Sequence, residues 1–70
     1  MKIVQFAHTD GDRLYFAFDA QAVVAVTEEV YIGTSERGFC TVIHLGGDVA
    51  FRTFASYDDV LTKIGWKQAD

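Results

Sequence analysis

Proline is absent from this sequence, and cysteine occurs only once. A single thiol cannot form an internal disulfide, so a fold held together by bridges within the chain is excluded. No positively charged leader with an apolar stretch precedes a cleavage site, and with the lone cysteine this predicts a reducing, cytoplasmic compartment. The longest apolar runs are far too short to span a bilayer, so we expect no membrane association.

Basic residues are also scarce in this chain. Six Lys and Arg stand against ten Asp and Glu, which gives a formal net charge of −4. The basic residues are scattered singly, whereas nucleic-acid affinity comes largely from clustered cations that release counterions from phosphates. We therefore expect that nucleic acid is not a direct ligand. An acidic surface favours a basic protein partner, although a net charge this small is also typical of proteins whose surface charge only keeps them soluble.

Hydrophobic residues, by contrast, make up 50% of the chain, and aromatic residues make up 14%. The chain has 70 residues, about half the length of a typical domain, which leaves room for one small core. Large aromatic side chains are a usual way for so short a chain to fill its core. We predict a single domain over residues 1–70 that folds without a metal, a disulfide or a cofactor.

Five segments have the alternation or the β-branched content of strands, at about 2–8, 13–18, 22–32, 39–45 and 49–54. Tight turns are predicted at Asp10-Gly11 and Gly46-Gly47, where positive φ angles are tolerated. Every link is too short for a crossover helix, so the strands should form an antiparallel meander. The third segment is apolar on both faces, which favours a central, well-covered strand.

One helix is predicted at about 57–64. Ser56 and Asp59 have the spacing of a capping box, and Gly65 stands where a left-handed helix stop is expected. An apolar stripe at helical spacing is formed by Tyr57, Val60, Leu61 and Ile64. The predicted fold is therefore α+β, a small five-stranded antiparallel meander sheet, curled or partly closed into a barrel, with one C-terminal helix. Its predicted core is Val4, Phe6, Leu14, Phe16, Val24, Val26, Ile43, Leu45, Phe51, Val60, Leu61 and Ile64.

The best transition-metal ligands in the sequence are His8, Cys40 and His44. Cys40 and His44 share one face of a predicted strand but lie some distance apart, and no close pair of ligands occurs. Nothing resembles a nucleophile elbow or a cysteine at a helix start, so we assign no catalytic residue and no enzymatic activity. The three residues are interpreted as a small buried or half-buried cysteine and two surface histidines.

Aromatic residues exceed what one helix and one sheet face of this length need to bury. Some of them should be exposed, and without a basic groove for stacked bases a protein interface explains them better. The alternative is that a small core simply uses large residues. The predicted partner-binding residues are Tyr15, Tyr31, Glu28, Glu29, Glu36, Phe39 and Trp66.

The assembled pattern resembles the FlbD family of small flagellar-operon proteins, called SwrD in some bacteria, over residues 1 to about 64. The matching positions are Asp10-Gly11, Asp19-Ala20, the valines before Glu28-Glu29, Thr41-Val42-Ile43 with the following His-Leu-Gly, and Ser56-Tyr57-Asp58-Asp59-Val60. The chain departs from the family in having Asp for Asn at the first turn, a longer stretch from 30 to 39 and no Pro-Asp after the paired Glu. The resemblance implies this fold and a non-enzymatic accessory protein, without carrying over flagellar function or site residues. Similar small domains also occur in phage and mobile-element genomes, where they commonly act on a host protein.

The function predicted from the sequence is a protein-binding accessory or inhibitor module that acts through a sheet edge or face. Self-association as a homodimer is expected through the first strand, whose residues 2–7 have only Lys2 to deter a neighbouring strand. The alternatives are a nucleic-acid-binding regulatory domain and a phage-encoded inhibitor of a host defence or nucleic-acid-handling protein. A cysteine-dependent or metal-dependent enzyme is the remote third class.

Overall fold

The structure of the protein, a computed structural model, describes residues 1–9, 14–32 and 37–68, and for Arg37 the backbone only. Within these residues the chain forms five antiparallel strands and one helix, which confirms a small α+β protein. No helix of the described part is long and apolar enough to cross a membrane. The elements are β1 (Ile3–Ala7), β2 (Tyr15–Asp19), a 3-10 turn (Ala20–Ala22), β3 (Val23–Ile32), β4 (Arg37–Leu45), β5 (Val49–Thr53) and α1 (Tyr57–Ile64).

The strands form two sheets, so the predicted single five-stranded meander is wrong. β1 pairs with β2, and β3, β4 and β5 form a separate antiparallel sheet in that order. The 3-10 turn separates β2 from β3: Asp19 accepts a hydrogen bond from the Gln21 amide at 3.0 Å, and the Ala20 amide donates to the Lys2 carbonyl at 2.8 Å. This turn redirects the chain before β3 begins. The sheets approach where the Thr9 amide bonds to the Arg52 carbonyl at 3.3 Å, but they do not close into a barrel.

β3 is an edge strand, not the central strand predicted from its apolar residues. Among the described strands it pairs only with β4, which lies in the middle of the three-stranded sheet. The register shifts between Val23 and Ala25, and the bulged residue Val24 is 65% exposed. The valines of β3 therefore do not all point into covered space, and its distal half is mostly exposed.

The core lies between the two sheets and α1. Its buried residues are Val4, Phe6, Phe16, Phe18, Ala20, Val23, Val26, Ile43, Val60 and Ile64, with Leu45, Phe51, Ala55, Tyr57 and Leu61 packed against them. Ten of the twelve predicted core residues are therefore in or against it. The other two predictions are wrong: Leu14 precedes β2 and is 55% exposed, and Val24 is in the bulge.

The helix prediction is confirmed at both ends. The Ser56 side chain accepts a hydrogen bond from the Asp59 amide at 3.1 Å, and Gly65 ends the helix with φ 89°. The Trp66 amide then bonds back to the Leu61 carbonyl at 2.8 Å. The predicted tight turn after β4 is also present, with positive φ at Gly47 and Asp48, whereas the Asp10-Gly11 turn lies outside the described residues.

Candidate functional site

The far end of the β3–β4 pair presents apolar side chains to solvent. We call this segment, residues 28–32 of β3 with 37–41 of β4, the distal hairpin. Val30 is 57% exposed, Ile32 is 69% exposed and Phe39 is 70% exposed. Isolated exposed apolar residues are ordinary in proteins, but a contiguous group marks a surface for further contact.

The register places these side chains on one face of the sheet. Val30 and Phe39 are direct cross-strand partners, and Ile32 lies two residues beyond Val30 along the strand, so all three point to the same side. Val26, four residues before Val30, is on this side too, where it pairs with the buried core residue Ile43. The core-facing side of the sheet therefore continues into the distal hairpin, where its side chains are no longer covered.

The opposite face of the distal hairpin contacts side chains of β5 and of the residue that follows it. The Tyr31 and Phe54 rings meet edge to face, with centroids 4.9 Å apart. Glu29 forms an ion pair with Arg52 across the sheet. Cys40 pairs with Glu29 in the register and is 2% exposed. Burial raises the pKa of the Cys40 thiol, and the Glu29 carboxylate raises that pKa further, so this thiol is poorly suited to nucleophilic chemistry.

The outer edge of β3 is free of other strands along the distal hairpin, in the part of the chain that is described. Residues 26–32 run in continuous register with β4, and the bulge that interrupts the strand lies before them at Val24. Sheet edges in proteins are usually blunted by bulges, prolines or short strand length. This stretch has none of these devices, since β3 is 10 residues long and the chain has no proline.

Acidic groups border the apolar face. Glu28 is exposed, pairs with Thr41 in the register and has no ion-pair partner among the described residues. The Thr41 hydroxyl donates to the Ala55 carbonyl at 2.8 Å, immediately before α1. The first turn of α1 contains Asp58 and Asp59, and Asp58 is ion-paired with Lys67 at 3.0 Å.

The predicted partner-binding residues fall into separate groups. Glu28, Glu29, Tyr31 and Phe39 come together on the distal hairpin. Tyr15 is 60% exposed on β2, in the other sheet, and Trp66 is 51% exposed after the end of α1. Glu36 lies outside the described residues. Sequence reasoning missed Val30, Ile32 and Phe54, because apolar residues in a strand were expected to be covered.

Both histidines contact other side chains of the fold. The His8 ring lies edge-on to Phe16 and Phe51, with centroid distances of 4.8 and 5.8 Å. His44 Nε2 lies 2.9 Å from the Thr27 hydroxyl, in an open depression of about 610 Å³ over the β4–β5 turn. Both histidines are half-buried, not fully on the surface as expected. No group of three or more metal-ligating side chains is found in the described ranges.

Comparison of the chain with protein-family models, with curated proteins and with solved structures gives no match. The resemblance to the FlbD family therefore stays a prediction.

Proposed function

We propose that the protein is a non-enzymatic, protein-binding accessory or inhibitor module, and that the distal hairpin is the surface that contacts its partner. The observation that carries this proposal is the exposed Val30–Phe39 cross-strand pair with Ile32 beside it. Burying such side chains against a partner removes apolar surface from water, which is the main favourable term in most protein association.

The chain exposes more surface than is usual for a monomer of its mass. The accessible surface is 5011 Å², whereas a compact monomer of 7.8 kDa should expose about 4,400 Å². The chain thus exposes about 600 Å² more than the average for a compact monomer of its mass.

Electrostatics favours a protein over a nucleic acid as that partner. The charged residues of the distal hairpin are Glu28, Glu29, which is paired with Arg52, and Arg37, whose backbone pairs with Ile32 in the register. Phosphates would be repelled by Glu28, although Phe39, Tyr31 and Phe54 are rings of the kind on which bases stack. A protein surface with basic and apolar side chains can pair with the Glu28 carboxylate and also cover the apolar side chains.

Quantitative affinity capture from the source cell tests the proposal with three immobilised forms. These are the wild-type chain, Phe39→Asp and a matched control, Leu14→Asp, which places the same charge at an exposed large apolar residue outside the distal hairpin. We expect one or more specific proteins to bind the wild-type and Leu14→Asp chains and to be lost from Phe39→Asp. Thermal melts of all three forms check that the fold is intact.

Two outcomes would contradict the proposal. Equal capture of every bound protein by the three forms would show that the distal hairpin is not the contact surface. Specific retention of a single-stranded oligonucleotide by the wild-type chain, lost on Phe39→Asp, would assign the surface to the nucleic-acid-binding alternative instead.

A further inference from the structure

We propose that the outer edge of β3, over residues 26–32, binds an extended segment of the partner protein as an added strand, and that this segment carries Lys or Arg next to large apolar residues. The inference rests on the proposed function, because it names the way in which the distal hairpin takes its partner. Strand addition to a sheet edge draws affinity from main-chain hydrogen bonds and specificity from alternating side chains.

The edge of β3 differs from the edges of β1 and β5, which carry hydrogen bonds from elsewhere in the chain, and from that of β2, which has 5 residues against the 10 of β3. On β1, the Gln5 carbonyl accepts a hydrogen bond from Lys63 Nζ at 2.8 Å. On β5, the Arg52 carbonyl accepts one from the Thr9 amide at 3.3 Å. For residues 26–32, the described part of the chain contains no backbone hydrogen bond to an element other than β4. Residues 26–32, about 23 Å of strand at the usual rise, are therefore available to an incoming backbone.

A second copy of the chain fits this edge poorly. In a two-fold antiparallel pair, the register centred on Glu29 places Glu29 opposite Glu29 of the second copy. The register centred on Glu28 likewise places Glu28 opposite its own copy, and the registers centred on Thr27 and Val30 place Glu28 or Glu29 on a diagonal with its own copy. Registers that avoid all of these contacts pair at most three of the residues 26–32, namely 30–32. Because like charges facing each other in a sheet are destabilising, the edge disfavours itself and favours a different chain.

The two carboxylates define where the added strand must be basic. Glu28 and Glu29 are consecutive, so they point to opposite faces of the sheet. A strand added beside them therefore needs a cation on each face at adjacent positions. Glu28 has no ion-pair partner among the described residues, and the pair of Glu29 with Arg52 is exposed, so both can interact with an incoming Lys or Arg.

The next three residues of β3 define where the added strand must be apolar. Val30 and Ile32 are exposed on the face of Glu28, and Tyr31 is half-buried on the face of Glu29. Large apolar side chains opposite these three would extend the Val30–Phe39 group on one face and the Tyr31–Phe54 contact on the other. The complementary segment thus has adjacent basic residues on one side of an apolar run.

Short capped peptides test this pattern by fluorescence anisotropy. The first peptide has two adjacent lysines followed by valine, tyrosine and isoleucine, and it is also made with this order of residues reversed. The second peptide has glutamates in place of the lysines. We expect the lysine peptide to bind at least about tenfold more tightly than the glutamate peptide. Its two lysines face Glu28 and Glu29, whereas the glutamate peptide places like charges at the same two positions. A third peptide, N-methylated on the amides that face the edge, should lose binding, and amide exchange should slow over 26–32 when the lysine peptide is bound.

Two variants separate strand pairing from general charge attraction. Glu28→Gln should weaken the lysine peptide several-fold, whereas Ala17→Lys, which changes the net charge equally from an exposed position on β2, should not. Equal weakening by both variants, or undiminished binding of the N-methylated peptide, would overturn the inference. So would the absence of both peptide binding and amide protection.

The peptide experiments test the added strand and the capture experiment tests the proposed function, so either can fail without the other. If Phe39→Asp abolishes capture of the partner while the peptides do not bind, the distal hairpin remains the contact surface and the added strand is refuted. If the peptides bind as expected while capture is unaffected by Phe39→Asp, the edge is available but the proposed function is refuted. Cross-linking of two chains through β3 would identify a second copy as the occupant and would also overturn the inference.

Discussion

Cys40 illustrates how a single residue on the outer face of a sheet becomes buried. It is 2% exposed but lies outside the main core cluster, on the face that carries Glu29. On the same face lie the Glu29–Arg52 ion pair and the contact between the Tyr31 and Phe54 rings. The consequence is a thiol that is held protonated by burial and by the adjacent carboxylate.

The first prediction concerns this thiol. The pKa of Cys40 is raised in the folded chain above its ordinary value of 9.0, so the unfolded state ionises at lower pH than the folded state. The stability contributed by the protonated thiol is therefore complete below pH 9.0 and is lost as the pH rises through the folded-state pKa. Denaturant melts between neutral and alkaline pH measure this loss.

Cys40→Ala is the control for that pH profile. Replacing the thiol should lower stability at neutral pH and flatten the decline above pH 9.0. A decline of the same steepness in Cys40→Ala would assign it to another group. In the wild-type chain, alkylation of the thiol should also be slow until denaturant is added.

At the scale of elements, α1 is the part of the fold with the clearest local signals. Val60 is 0% exposed and Ile64 is 5% exposed, whereas Leu61 is only half-buried against the core. Lys63 adds a contact beyond the stripe, since its Nζ lies 4.9 Å from the centroid of the Phe6 ring. The helix is therefore fastened to β1 as well as to the three-stranded sheet.

The second prediction ranks substitutions in α1. Ser56→Ala should cost about 1 kcal/mol through loss of the cap. Ile64→Ala should cost about 2 to 5 kcal/mol because it leaves a cavity under a buried side chain. Leu61→Ala should fall below Ile64→Ala, since Leu61 is less buried. Chemical denaturation of the three variants gives the ranking, and equal small losses would mean that the stripe does not pack on the sheets.

At the scale of the whole molecule, self-association through β1 stays a prediction. The edge of β1 lacks proline and bulges, and Ile3 is 60% exposed on it, but Lys63 already bonds to the Gln5 carbonyl. Pairing two β1 strands would leave the β3 edge free for a different partner. Residue 4 is not a useful position for a disrupting proline, because Val4 is 4% exposed and belongs to the core.

The third prediction is therefore tested with a surface substitution. We expect sedimentation equilibrium at micromolar concentration to give twice the chain mass of 7.8 kDa, and we expect Ile3→Lys to restore the monomer by placing a charge on the edge. Val49→Lys, which adds the same charge at an exposed position of β5, should leave the dimer intact. A wild-type mass of 7.8 kDa would contradict the prediction.

The features that the sequence determined by itself are those whose signals lie within a few residues of one another. The cap at Ser56, the stop at Gly65 and the apolar stripe between them specify α1, because each depends on contacts within one or two helical turns. The alternation in β1 and β2 likewise identified Val4, Phe6 and Phe16 as buried. The sequence also predicted four candidate site residues that lie together, because they belong to two neighbouring strands of one hairpin: Glu28, Glu29, Tyr31 and Phe39.

Only the tertiary structure decided which strands share a sheet and which faces are covered. An apolar strand such as β3 has the same sequence pattern whether both its sides are packed or one is left at an edge. The 3-10 turn at Ala20–Ala22 separates the sheets, and α1 covers the inner part of β3 but leaves Val30 and Ile32 exposed. These outcomes depend on contacts between segments far apart in the chain, and that is why the free edge and the apolar face of the distal hairpin could not be read from the residues that form them.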